Sequence, residues 1–168
     1  PDLVQDFGVS PAELGILTSA YLLSFSLFQL PLGVFLDRYG ARRVQTVLFG
    51  IAAVGCFLFA AAPDFLSLVA SRAIIGLGFS AGLMASFKAS SIWVPIERRD
   101  LANASIMSAG ALGIVMATEP TAFLVTLVGW RTTFTIFGGI ILAGAAFVFL
   151  AVPEKDETKT TAGLQKKL

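Results

Sequence analysis

The sequence predicts an all-α membrane protein, a multi-pass helical bundle. Three observations carry that expectation. The 168 residues are 56% hydrophobic, with a mean hydropathy of +0.82. Only 14% are charged, against roughly 25% in soluble domains. The charges gather in short clusters between apolar runs long enough to cross a hydrocarbon core, which takes about 20 helical residues.

The elements follow from those clusters. A first helix is expected near 14–36, since no ionisable group occurs from Leu14 to Leu36. A second is expected near 44–63, free of charge from Val44 to Pro63. The third, near 65–91, contains Arg72 and Lys88, and the fourth, near 101–128, contains Glu119. The fifth, near 132–153, has no ionisable residue. β-Barrel strands would be about half as long and would alternate apolar with polar residues. These runs do not alternate. Residues 1–153 therefore read as one transmembrane unit. Residues 154–168 are polar and short of large hydrophobes, as expected for the start of a cytoplasmic linker.

Counting Lys and Arg by connector orients the bundle. Arg38, Arg42, Arg43, Arg98, Arg99, Lys155, Lys159, Lys166 and Lys167 fall on one side if the helices alternate. The other side has only Arg131. Cytoplasmic loops carry the excess of cations. The N-terminus of the chain is thus expected outside and the tail in the cytoplasm. Five helices with an external start imply a further helix upstream. Trp93, Trp130 and Tyr39 fall near the expected membrane faces, where amphipathic rings anchor.

Polar content separates the helices. The second and fifth are expected to be outer, supporting helices. The third and fourth hold Arg72, Lys88, Glu119 and most of the hydroxyls. A charge at the bilayer centre costs about 2.5–3.5 kcal/mol on insertion scales, so it is expected to face a partner or a hydrated cavity. At 100° per residue, Ser105, Ser108, Glu119 and Thr126 form one stripe. Arg72 and Glu119 lie at similar depths on neighbouring antiparallel helices and are expected to approach each other. Lys88 points about 160° away from Arg72 on an ideal helix. It serves either as a further solute contact or as a cation snorkelling to the interface. Gly76, Gly78 and Gly82 on the third helix, and Gly113 on the fourth, are expected at close helix crossings.

Several function classes are excluded or disfavoured. There is no His, and the single Cys56 cannot form a disulfide within the chain. It reads as a small core residue. No metal-spaced cluster and no G-x-x-x-x-G-K-[ST] loop occurs. An enzyme, a bound cofactor and ATP-driven transport are not expected. With a net charge of +1 and no basic stripe, nucleic acid is not an expected partner.

The sharpest motif is Gly33-Val-Phe-Leu-Asp37-Arg38-Tyr-Gly40-Ala-Arg42-Arg43, between the first two helices. Gly40 permits a tight turn. Asp37 can cap or face a helix N-terminus, and the arginines can hold carboxylates or lipid headgroups. This run resembles the G-x-x-x-D-R-x-G-x-R-R signature of the major facilitator superfamily. Arg72-x-x-x-Gly76-x-Gly78 resembles the R-x-x-x-G-x-G pattern of that family's fourth helix. Gly129-Trp130-Arg131-x-x-Phe134 resembles the turn before its sixth. Gly110, Gly113 and Pro120 loosely resemble its fifth helix, but the paired glycines of the antiporter form are absent and Glu119 departs from the pattern. Lys88, Trp93, Pro95 and Glu97-Arg98-Arg99 weakly resemble organic-anion and sugar-phosphate relatives.

The resemblance implies a 12-helix fold of two halves built from inverted three-helix repeats. This chain would be the N-terminal half without its first helix, and a C-terminal six-helix half would be its partner. The implied activity is secondary active transport of a small solute by alternating access, with a proton as coupling ion. The motif Gly33, Asp37, Arg38, Gly40, Arg42 and Arg43 would latch one state. Arg72, Glu119, Ser108 and Lys88 are the candidates for coupling or for contact with a small, possibly anionic, molecule. The location would be a lipid bilayer, with the bacterial inner membrane expected. An uncoupled uniporter and a non-transporting sensor or scaffold remain open alternatives.

Overall fold

The computed structural model describes residues 7–152. The expected linker, 154–168, lies outside the described residues. Among those described there is helix and no strand.

Helix α1 runs from Pro11 to Tyr39. It starts three residues before the expected 14 because Ser10 and Glu13 form a reciprocal capping box, with Pro11 in the first turn. Ser10 N donates to Glu13 Oε2 at 2.7 Å. Proline at that place sacrifices no helical bond, whereas Pro31 inside the same helix removes one donor from the ladder. Helix α2, Ala41–Ala61, follows after a single residue. Gly40 makes that reversal at φ 79°, a backbone conformation that a Cβ would strain.

The third span, Phe65–Trp93, is divided into α3, Phe65–Phe79, and α4, Ala81–Trp93. Asp64 caps α3 by accepting from Ser67 N at 2.8 Å. The division at Ser80 follows from sequence. Glycines crowd both sides of it, and the Ser80 hydroxyl bonds back to Leu77 O at 2.6 Å, a bond that competes with the ladder and bends helices.

Four runs are long and apolar enough to span, because the last expected pair, 101–128 and 132–153, lies in one run, α5, Arg99–Ala151, in which two helices meet across a kink. Inside it, Gly129 alone has non-helical dihedrals, φ 75° and ψ 162°. The chain kinks there without a loop. A charge count cannot distinguish such a one-residue kink from a conventional turn. The part after Gly129 runs antiparallel to α2. Arg131 sits beside Ala60 and Ala62, Gly138 against Phe57, and Phe149 under Arg42.

Two apolar clusters hold the bundle together. One lies at the end bearing Trp130, where Leu17, Cys56, Phe59, Leu68, Ile75 and Trp130 meet. The other, toward the arginine-rich end, gathers Leu32, Leu36, Val44, Leu48, Ala81 and Ala85. Gly76 and Gly78 create the crossings that make this compact. A Cβ on Gly76 would collide with the Tyr21 carbonyl of α1, and one on Gly78 would lie 2.6 Å from Ala52 Cα of α2. Gly82 and Gly113 have open space where a Cβ would stand, so the close packing expected of them is not found among the described residues. Gly55 and Gly138 play that part instead, against Ile75 and Phe57.

Trp130 is likewise not an interfacial ring. It is 5% exposed and meets Phe59 edge-on at 5.8 Å. Trp93 and Tyr39 keep exposed rings near helix ends, as expected of interfacial anchors.

Candidate functional site

Arg72 is carried on α3, eight residues beyond its Asp64 cap and about 12 Å into the span. Its guanidinium lies over two aromatic faces, 4.8 Å from the Phe59 centroid and 5.2 Å from that of Phe134. The two rings brace each other at 4.2 Å. Cations are attracted to ring faces, more strongly where water is excluded. A flat guanidinium uses such faces better than an ammonium can. The Arg72 Nε is buried and has no hydrogen-bond partner.

A cavity of about 530 Å³ opens beside this cation. Tyr21 of α1, Cys56 of α2, Ile75 of α3, and Thr121 and Phe134 of α5 are among its walls. Every long helix thus contributes. The expectation that the second and fifth segments only support the bundle is overturned, because Cys56 and Phe134 stand on them. The Cys56 thiol is buried among apolar neighbours, as a small core residue should be.

The expected Arg72–Glu119 approach does not occur. Arg72 makes no ion pair with Glu119, and Glu119 is exposed. The physical reason is register. Thr121 faces the Arg72 cavity, and a residue two positions earlier points about 160° away on an α-helix. Ser108 is exposed too, as is the whole run 107–120. Ser105, Thr118 and Thr126 turn their hydroxyls onto their own helix, to Leu101 O, Ile114 O and Phe123 O.

The second constellation lies at the arginine-rich end. Asp37, in the last turn of α1, accepts from Lys88 Nζ of α4 at 2.6 Å. Lys88 is therefore neither beside Arg72 nor simply extended to an interface. It joins the motif between α1 and α2 to a segment 51 residues later. Asp37 does not cap α2, whose N-terminus has no side-chain cap. Arg38 lies over the Tyr39 ring at 5.5 Å and Arg42 over Phe149 at 4.5 Å. Arg43 is exposed, and Gly33 has open space around it. Arg99 closes α4 by donating to Ser91 O at 2.6 Å and Val94 O at 3.1 Å.

Sequence reasoning missed Phe59, Tyr21 and Thr121. Phe134 was named only as the end of Gly129-Trp130-Arg131-x-x-Phe134, with no role beside Arg72. Arg131 itself was counted as a stray external charge. Its Nη1 donates to Ala60 O at 2.9 Å and Ala62 O at 3.0 Å, satisfying the C-terminal carbonyls of α2. No group of acidic, Cys or His side chains among the described residues could hold a metal.

Comparison with known proteins agrees with this architecture. The chain is 36% identical over 140 residues to the uncharacterized transporter YybO of Bacillus subtilis, covering 83% of this chain and 32% of that protein. It is 27% identical over 169 residues to the probable sulfoacetate transporter SauU of Cupriavidus necator, covering 99% and 39%. It is 28% identical over 137 residues to the D-galactonate transporter of Escherichia coli O6:H1, covering 81% and 32%. The chain spans about a third of the length of these curated relatives. Residues 1–167 match the family described as Major Facilitator Superfamily. With membrane-length helices and this match over nearly its whole length, the chain belongs to the Major Facilitator Superfamily.

Proposed function

We propose that this chain forms the wall of a secondary transporter that moves a small organic anion by alternating access, driven by protons. The observation that carries the reading is Arg72. It is a cation in a membrane-length helix, held by two ring faces with no carboxylate partner among the described residues, beside a cavity of about 530 Å³. A neutral solute gives no reason to keep such a charge in a span, where it costs about 2.5–3.5 kcal/mol. An anion does. Sulfoacetate and D-galactonate, named in two relatives, both carry acidic groups.

Among the described residues, Glu119 is the one carboxylate far from a helix end, and we assign the coupling proton to it. Protonation removes a charge that is costly when its exposed face meets hydrocarbon. Ser108 shares that stripe and, like Glu119, is turned away from the Arg72 cavity. The remainder of a two-half assembly would supply the opposite wall, and the two halves would rock about the solute. The Asp37–Lys88 pair, with Gly33, Arg38, Gly40, Arg42 and Arg43, would latch one state. The arginine-rich end would face the cytoplasm of a bacterium, as the excess of cations there favours. Residues 1–153 would be the membrane half and 154–168 the linker.

The test is uptake of labelled small carboxylates and sulfonates into vesicles bearing the full-length protein. An imposed inward proton gradient should accelerate uptake, and a protonophore should abolish that. Glu119→Gln should abolish the acceleration while leaving exchange of internal for external solute. Uptake indifferent to the protonophore would defeat the coupling and favour a uniporter. Saturable uptake of neutral solutes only would defeat the anion assignment.

A further inference from the structure

The cavity beside Arg72 is graded along its length. On α3, Arg72, Ile75 and Phe79 recur at spacings of three and four and so share one face. On the last part of α5, Phe134, Phe137 and Ile141 do the same. The two stretches run side by side in one direction. Arg72 lies over the Phe134 ring, and both stretches lead away from the cluster around Trp130. Arg72 to Phe79 is seven helical residues, so the cavity is about 10 Å long.

Its polar groups crowd one end. Arg72 stands eight residues beyond the Asp64 cap and Thr121 eight residues before Gly129, which sets both about 12 Å in from the Trp130 end. Tyr21 and Cys56 lie about a turn deeper. The Tyr21 carbonyl is against Gly76, and Gly55, next to Cys56, is against Ile75. Beyond Ile75, toward the arginine-rich end, the walls are Phe79, Phe137, Ile140 and Ile141, which carry no polar side-chain atom. Phe134 meets Phe137 edge to face at 6.1 Å, so ring surface continues from the guanidinium into the apolar end.

One cation neutralises one acidic group. A second acidic group, or a hydroxyl, carried into the far end would lose its water and find no partner. A methylene or an aryl carbon gains from the same transfer. Resting on the organic-anion reading above, we infer that the solute is a monocarboxylate with an apolar body. Its carboxylate is held at Arg72, and its hydrocarbon part points toward the arginine-rich end against Phe79, Phe137 and Ile141. Neither solute named in the relatives has that form. D-Galactonate bears hydroxyls along its chain, and sulfoacetate has two acidic groups.

The experiment is calorimetric binding to the purified full-length protein. Hexanoate, gluconate and adipate share one chain length and differ in hydroxyls and in charge. Hexanoate should bind about tenfold or more tightly than either of the others. From butanoate to hexanoate the affinity should rise about fourfold per methylene. Arg72→Gln should lose hexanoate, which separates the site from uptake of the chain by detergent. Ile141→Asn puts an amide at the far end and should flatten the methylene series while leaving acetate binding unchanged. Should that variant unfold, the wild-type series decides. Gluconate or adipate binding as tightly as hexanoate, no gain per methylene, or an unaltered series in a folded Ile141→Asn would overturn the apolar-bodied class and leave the anion reading in place. Hexanol binding as tightly as hexanoate, or no binding of any of the three anions, would overturn both.

Discussion

At Arg72, two ring faces stand where a carboxylate would neutralise the charge. Phe59 and Phe134 come from segments far apart in sequence, and their mutual contact at 4.2 Å fixes the slot in which the guanidinium lies. The slot is specific for a flat cation. Arg72→Lys keeps the charge but loses the stacking and the fixed donor geometry. Solute affinity should fall about tenfold or more, measured by concentration dependence of uptake at matched protein levels. Phe134→Leu keeps apolar volume and should weaken binding less than Arg72→Lys does. Arg72 was legible in sequence because a charge in an apolar run demands explanation. Its surroundings were not. Charge complementarity suggested Glu119, yet the register of one helix turns Thr121 toward the cavity and Glu119 away from it. Aromatic faces leave no spacing signature, because a Phe in an apolar helix is unremarkable.

At the scale of elements, small residues and caps decide how helices meet and begin. Gly78 lies against the Ala52 backbone. Gly78→Val should destabilise by about 1–3 kcal/mol through overpacking. That amounts to a fall of several degrees in the midpoint in detergent, at about 2–4 °C per kcal/mol for a chain of this size. Gly82→Ala, at an open position, should lose nothing and gain helix propensity. The small-x-x-x-small pattern identified both glycines but could not tell the buried crossing from the open face. Asp64 gives a pH signature. The Ser67 N–H and then its hydroxyl hold the Asp64 carboxyl below its ordinary value. A depressed value means that the cap contributes above the unfolded pKa and is lost as pH falls through the folded one. Amide exchange at the start of α3 should therefore quicken in acid, and Asp64→Asn should abolish that dependence while keeping the cap. The helix ends expected from sequence differ from those found by up to about three residues, because caps such as Ser10 and Glu13 lie outside the apolar runs. The last two expected helices meet at Gly129 with no loop between them, a junction that composition marks only with the charge at Arg131.

Across the whole molecule, the ion pair between Asp37 and Lys88 ties the α1–α2 turn to α4. The Asp37 side chain is 78% exposed and that of Lys88 15%, so water screens the pair from the Asp37 side and the pair should add little to stability. Its expected role is to set the position of the turn. Asp37→Ala and Lys88→Ala should each slow transport while leaving the unfolding midpoint within about a degree or two, given the small worth of exposed pairs. The exchanged pair, Asp37→Lys with Lys88→Asp, should restore part of the rate. The run Gly33 to Arg43 was readable as a motif, but its partner was not, because 51 residues separate Lys88 from Asp37 and only the fold brings them together.

The most direct measurement places a single reactive thiol at Thr121, in the wall of the Arg72 cavity. In the full-length protein with every native cysteine replaced, Cys56→Ala among them, Thr121→Cys puts the only thiol in the cavity and keeps Arg72. A charged, membrane-impermeant thiol reagent should label it in intact membranes, and a saturating transported anion should slow that labelling, because the position borders water held by protein. A thiol that only hydrophobic reagents reach, at a rate the anion does not change, would put the cavity in lipid or sealed packing and contradict the transport site.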